Sequence, residues 1–93
     1  METFKIILSP KAQKDLDSLS DNTCVKISKE ISILKDNPFP KGKLIKKLKG
    51  KRYDYYRLRI DKYRVFYLID KRYVVILRIL SKKDTEKFIK SLN

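Results

Sequence analysis

The sequence predicts an α+β fold in a single domain spanning residues 1–93: an N-terminal strand, a helical hairpin, a three-stranded antiparallel meander forming one sheet with the first strand, and a short C-terminal helix. Three observations carry this prediction. The stretch YDYYRLRIDKYRVFYLID, Tyr53 to Asp70, alternates with period two on both sides of a short polar turn. Before it, two tandem segments repeat apolar residues at helical spacing. After it comes YVVILRIL, Tyr73 to Leu80, nearly continuous in apolar residues as a central strand covered on both faces should be.

FKIIL, Phe4 to Leu8, is the first strand, with Phe4, Ile6 and Leu8 on one side and Lys5 opposite. Ser9 and Pro10 pair a capping residue with proline at the first helical position, and Ala12, Leu16 and Leu19 then make one apolar stripe. SDN, from Ser20, breaks that helix and opens a second, whose stripe is Cys24, Ile27, Ile31 and Leu34. Cys24 reads as a small core filler rather than a nucleophile. NPFPKG, Asn37 to Gly42, ends the helix because each proline keeps its predecessor out of αR. KLIKKLKGKR, Lys43 to Arg52, reads as a loop anchored by Leu44, Ile45 and Leu48, its six Lys and Arg either solvated or set against phosphates.

With Asp61 and Lys62 as a two-residue turn, Ile60 lies opposite Tyr63, Leu58 opposite Val65 and Tyr56 opposite Tyr67, which are the buried pairs. The other face then carries Arg59 opposite Arg64, Arg57 opposite Phe66 and Tyr55 opposite Leu68. Sheets ordinarily avoid facing like charges. Tyr53 and Tyr56 read as packing residues. The next turn, within Asp70 to Arg72, takes two or three residues; the three-residue version puts Arg78 on the Arg64 face and the two-residue version removes it. Ser81, three residues before Asp84, is a capping pattern opening a terminal helix with Phe88, Ile89 and Leu92.

Composition removes much chemistry. The chain has no histidine, which excludes His bases, Ser/His and Cys/His nucleophilic pairs and His-containing zinc sites. With one cysteine it has no internal disulfide, in keeping with a reducing compartment, and its only glycines, Gly42 and Gly50, make no phosphate-cradling loop. Apolar runs are too short for a membrane span or a signal peptide, so a cytoplasmic location and no membrane partner are expected. Lys and Arg total 24 against 11 Asp and Glu, a net charge of +13 that implies a polyanionic partner. Arg57, Arg59 and Arg64 on one rigid face suit a phosphodiester, and Tyr55 and Phe66 beside them offer rings to unpaired bases. The competing reading makes the same residues a solvated face that blocks edge pairing, with arginine lying over Phe66. The charge excess favours the anion site.

SPKAQKDLDSL, LIKKLKG, YRLRIDKYRVFYLID and VVILRIL resemble, in order and spacing, the RelE/ParE superfamily of toxins from prokaryotic toxin–antitoxin pairs. The most specific part is Leu48 and Gly50, then YRLRI, a short turn and YRVFY. The resemblance implies a RelE-like domain in one of two activities: RelE-like members cut messenger RNA in the ribosomal A site without a metal or other cofactor, and ParE-like members poison DNA gyrase. The RelE-like pattern fits better, and it implies an endoribonuclease that inhibits translation. Arg57, Arg59 and Arg64 match basic positions that bind and stabilise the scissile phosphate. Lys83, or Lys82 in a register one residue away, matches a basic residue that stabilises the transition state or protonates the leaving 5′ oxygen. The implied reaction is attack of a 2′ hydroxyl on its own phosphate, giving a 2′,3′-cyclic phosphate and a 5′ hydroxyl.

RNA contacts are further expected from Lys46, Lys47, Lys49, Lys51, Arg52, Tyr55, Phe66 and Arg78. Some relatives carry an acid–base tyrosine in the terminal helix, where this chain reads KFIK, with Phe88 and Ile89. The proton transfers then fall to Lys82 or Lys83 with a lowered pKa, to Tyr55, or to the ribosome; otherwise cutting is slow or the target is different. Implied partners are the ribosome with its mRNA and a RelB-like antitoxin wrapping the toxin in a hetero-oligomer. The alternatives are a gyrase-inhibiting module and a basic RNA-binding protein without chemistry.

Overall fold

The computed structural model describes residues 3–92, with side chains through Ser91. Strand β1 (Lys5–Leu8) leads into helix α1 (Pro10–Asp17), whose first turn is capped by Ser9, its Oγ accepting the Ala12 amide at 3.1 Å. Helix α2 (Asp21–Ser32) is capped likewise by Ser20, which accepts the Thr23 amide, and runs on into a 3-10 turn, Ile33–Lys35. Four strands follow: β2 (Ile45–Lys49), β3 (Asp54–Ile60), β4 (Tyr63–Asp70) and β5 (Tyr73–Ser81). A 3-10 turn, Lys82–Asp84, then opens helix α3 (Thr85–Leu92). The side chain of Leu92, expected on the apolar face of α3, lies outside the described residues.

The sheet order is β1-β5-β4-β3-β2, with β1 parallel to β5 and every other pairing antiparallel. Helices α1 and α2 cover one face. Ala12, Leu16, Ile27, Ile31 and Leu34 pack there against Leu58, Ile60, Val65, Tyr67, Val74, Ile76 and Ile79. Cys24 packs partly buried against this core, as a filler should. Tyr56 stacks on Tyr67 with ring centroids 5.5 Å apart, and the Tyr67 hydroxyl donates to the Pro38 carbonyl at 2.7 Å. Burial first, and the neighbouring Tyr56 second, push the Tyr67 phenol well above its ordinary range. No helix among the described residues is long and apolar enough to cross a membrane.

The hairpin register is the expected one: Tyr56 faces Tyr67, Leu58 faces Val65, and Ile60 faces Tyr63. Asp61 takes a positive φ of 53° in its turn, a conformation Asp tolerates better than most residues with a Cβ.

Two features differ from the sequence expectation. Ile45–Lys49 is a strand, not a loop, pairing with β3 at the edge of the sheet. Its apolar residues, Ile45 and Leu48, fall on opposite faces, so it lacks the alternation of a half-buried strand, and its lysines suit an exposed edge. The β4–β5 turn has two residues, yet Arg78 shares the face of Arg64. A β-bulge opposite Phe66 and Tyr67 inserts Leu77, so Tyr67 pairs with Ile76 but Phe66 with Arg78. Neither turn length alone described that register.

Candidate nucleic-acid interface

The sheet face turned away from α1 and α2 carries the arginines because the period-two alternation that buries Leu58, Ile60 and Val65 must send Arg57, Arg59 and Arg64 the other way. Arg59 stands directly opposite Arg64, and Arg57 opposite Phe66. Arg64 is only 7% exposed; its Nη1 donates to the carbonyls of Asp61 and Tyr63 at 2.8 and 2.9 Å. Burial, then repulsion from Arg59 and Arg57, lowers its pKa, although arginine remains a cation at neutrality. The Nε of Arg57 is buried and meets no acceptor among the described residues. Among those residues no ion pair engages Arg57, Arg59 or Arg64. Three guanidiniums with no carboxylate partner among the described residues leave their donors available to an anion.

The end of β5 reaches the same end of the sheet. The amide of Lys82 donates to the Lys62 carbonyl in the hairpin turn at 2.8 Å, and Leu80 faces Arg64 across the ladder. Lys82 and Lys83 are both exposed in the turn that follows.

Other expected contacts separate. Lys46 stands opposite Arg57 on the arginine face. Lys47 and Lys49 point to the other face, opposite Tyr56 and Asp54, and Lys47 pairs with Asp54 at 3.2 Å. Lys51 and Arg52 are exposed in the β2–β3 turn. Phe66 is fully buried beneath Phe88 of α3, centroids 4.7 Å apart, so it offers no ring to a base. Tyr53, expected to pack, is 57% exposed, its carbonyl accepting from the Gly50 amide. Tyr55 is half-buried, and its ring passes so close to Gly50 that a Cβ there would lie 2.1 Å away. Arg78 is bound bidentately by Asp15 of α1, at 2.8 and 3.1 Å, which raises its pKa chiefly through the hydrogen bond. The same carboxylate accepts the Ile79 amide at 2.9 Å, tying α1 to the residue after Arg78.

Comparison with known proteins settles the family. The model of the ParE toxin of type II toxin–antitoxin systems matches residues 6–86. RelE1 of Methanocaldococcus jannaschii is 38% identical over 84 residues, 87% of this chain and 91% of that protein. The chain belongs to the RelE/ParE toxin superfamily. Its fold is that of RelE: the RelE–RelB complex of Pyrococcus horikoshii OT3 superposes with a TM-score of 0.73 at 27% identity, covering 86% of this chain and 96% of that one. A RelE double mutant of E. coli in the free state gives 0.72 at 21% identity over 99% and 94%.

For this RelE-like toxin, sequence reasoning missed two participants. Asp15 sits on α1 beside the stripe residue Leu16, and nothing local connects it to an arginine on the last strand. Phe88 is legible as an apolar residue of the terminal helix and as the residue standing where relatives carry a tyrosine, but its role as the cover over Phe66 depends on where α3 lands.

Proposed function

We propose that this toxin is an endoribonuclease that cleaves mRNA in the ribosomal A site and so inhibits translation in the cytoplasm. The supporting observation is the Arg57, Arg59 and Arg64 cluster, unpaired with any described carboxylate and with Arg64 largely withdrawn from water. In the proposed reaction the 2′ oxygen attacks the adjacent phosphorus, the bond from phosphorus to the 5′ oxygen breaks, and a 2′,3′-cyclic phosphate and a 5′ hydroxyl result. The phosphoryl oxygens gain charge on the way. Fixed guanidiniums in a partly dry site stabilise that charge more than the ground state. Lys82 and Lys83, at the same end of the sheet, supply the proton for the leaving 5′ oxygen. The 2′ hydroxyl proton goes to Tyr55, to one of these lysines or to a ribosomal group. A RelB-like antitoxin would silence the toxin by covering this face, and it needs acidic residues to do so.

The ParE description of the matching family favours a second reading, inhibition of DNA gyrase. Expression of the wild type beside Arg64→Ala and the more exposed Arg59→Ala, with mRNA integrity, translation and DNA supercoiling followed together, separates the two. Arg64→Ala is expected to lower mRNA cleavage in programmed ribosomes by on the order of 100-fold. Growth arrest with intact mRNA and broken DNA would install the gyrase reading instead.

A further inference from the structure

Beside the arginines the toxin has a cavity of about 500 Å³, within the ~300–1,000 Å³ usual for small-molecule sites. It is lined by the apolar and aromatic Pro10, Tyr55, Leu77 and Phe88 together with Ser9, Lys11 and Arg78. The walls come from three separate parts of the fold: β3, the bulge of β5 with the start of α1, and α3. Tyr55 is held in place by its close approach to Gly50, and Ser9 locks the α1 start to the bulge by donating to the Leu77 carbonyl at 2.9 Å. Arg78, already neutralised by Asp15, presents a flat guanidinium rather than a free charge.

We propose that this cavity receives one unpaired base of the RNA strand whose phosphate lies on Arg57, Arg59 and Arg64. The inference rests on the ribonuclease reading and gives it a second subsite. Tyr55 and Arg57 are two residues apart on one face of β3, so the aromatic wall and the phosphate-binding cations stand roughly 7 Å apart along the strand. That spacing lets one nucleotide engage both. Two aromatic rings and an aliphatic floor recognise the π-face of a base. Lys11, an exposed member of the lining, offers a further cation to a neighbouring phosphate of the strand. A lipid or an acidic metabolite would use the cations but leave the rings idle.

The test uses purified toxin and short single-stranded RNAs at low salt, with 2-aminopurine or an abasic ribose placed at each position in turn. One position should show strong fluorescence quenching on binding, and an abasic ribose at that position should weaken binding about tenfold. Tyr55→Leu and Phe88→Leu, which keep apolar volume and whose folding is checked by thermal melting, should each lose most of that quenching. Arg59→Ala should instead weaken all the RNAs alike and leave the quenched position where it was. If abasic and intact RNAs bind equally while binding stays salt-dependent, the base subsite is wrong and the RNA reading survives. If no RNA binds even at low salt, the RNA reading falls and takes the subsite with it. If the cavity serves an apolar side chain of a protein partner, RNA titrations will be identical for wild type and Phe88→Leu, which also overturns the proposal.

Discussion

Leu58 and Arg59 are neighbours in sequence and belong to different problems. Leu58 is fully buried against the helices, whereas Arg59 is exposed opposite Arg64. Leu58→Ala should lower stability by roughly 2–4 kcal/mol, since it removes buried methyl groups and leaves a cavity. Arg59→Ala should leave stability within about 1 kcal/mol or raise it by relieving the cross-strand repulsion. Denaturant midpoints check both, and equal losses would mean that the two faces are reversed. The division between these residues is legible in the sequence because period two assigns a face from identity alone once one side is apolar. The same rule fails for Phe66 and Tyr53. Phe66 shares the arginine face but is buried because α3 lies over it, and Tyr53 is exposed because it precedes β3 at the sheet's end. Exposure on a second face depends on what packs there, and no local pattern encodes that.

Between elements, single polar contacts do the joining. The Tyr67 hydroxyl ties β4 to the proline-rich loop at Pro38, and its phenol is buried where its anion could not be solvated. Its pKa is raised on folding, so the linked stability is fully present below the unfolded value of about 10 and declines as pH rises above it toward the folded value. Melting temperature against pH for the wild type and Tyr67→Phe tests this: the two curves should run parallel below pH ~10 and converge above it. The boundaries of α1 and α2 are legible from Ser9, Pro10 and Ser20, whose capping chemistry acts within three residues. The strand nature of Ile45–Lys49 and the Leu77 bulge are not, because each is settled by a partner outside its own segment: β3, across a four-residue turn, for the first, and β4 with the distant Asp15 for the second.

For the molecule as a whole, the excess of cations is distributed unevenly in its effects. Some are neutralised locally, as Arg78 by Asp15, Lys47 by Asp54, and Lys26 by Asp61. The arginine cluster is not. Binding to RNA should therefore release counterions, and log affinity should fall linearly with log salt with a slope near the number of phosphates engaged. Fluorescence anisotropy from 50 to 200 mM salt should show a loss on the order of 1,000-fold for about six contacts, with the slope reduced by about one in Arg59→Ala. A flat plot would remove the polyanion argument altogether. Composition alone sets the size of the charge, and the sheet adds the direction in which it points.

The parallel pairing of β1 with β5 joins the first strand of the chain to the last. During synthesis the N-terminal strand emerges early and must wait, its edge unpaired, until Tyr73–Ser81 has cleared the exit tunnel. Until then β4 also lacks its second neighbour, and the buried side of the arginine sheet cannot close over Val74, Ile76 and Ile79. Pairing across so long a stretch of chain slows folding, because the loop must close before its contacts form. Neither the core nor the sheet that carries the arginines can close before β5 has emerged.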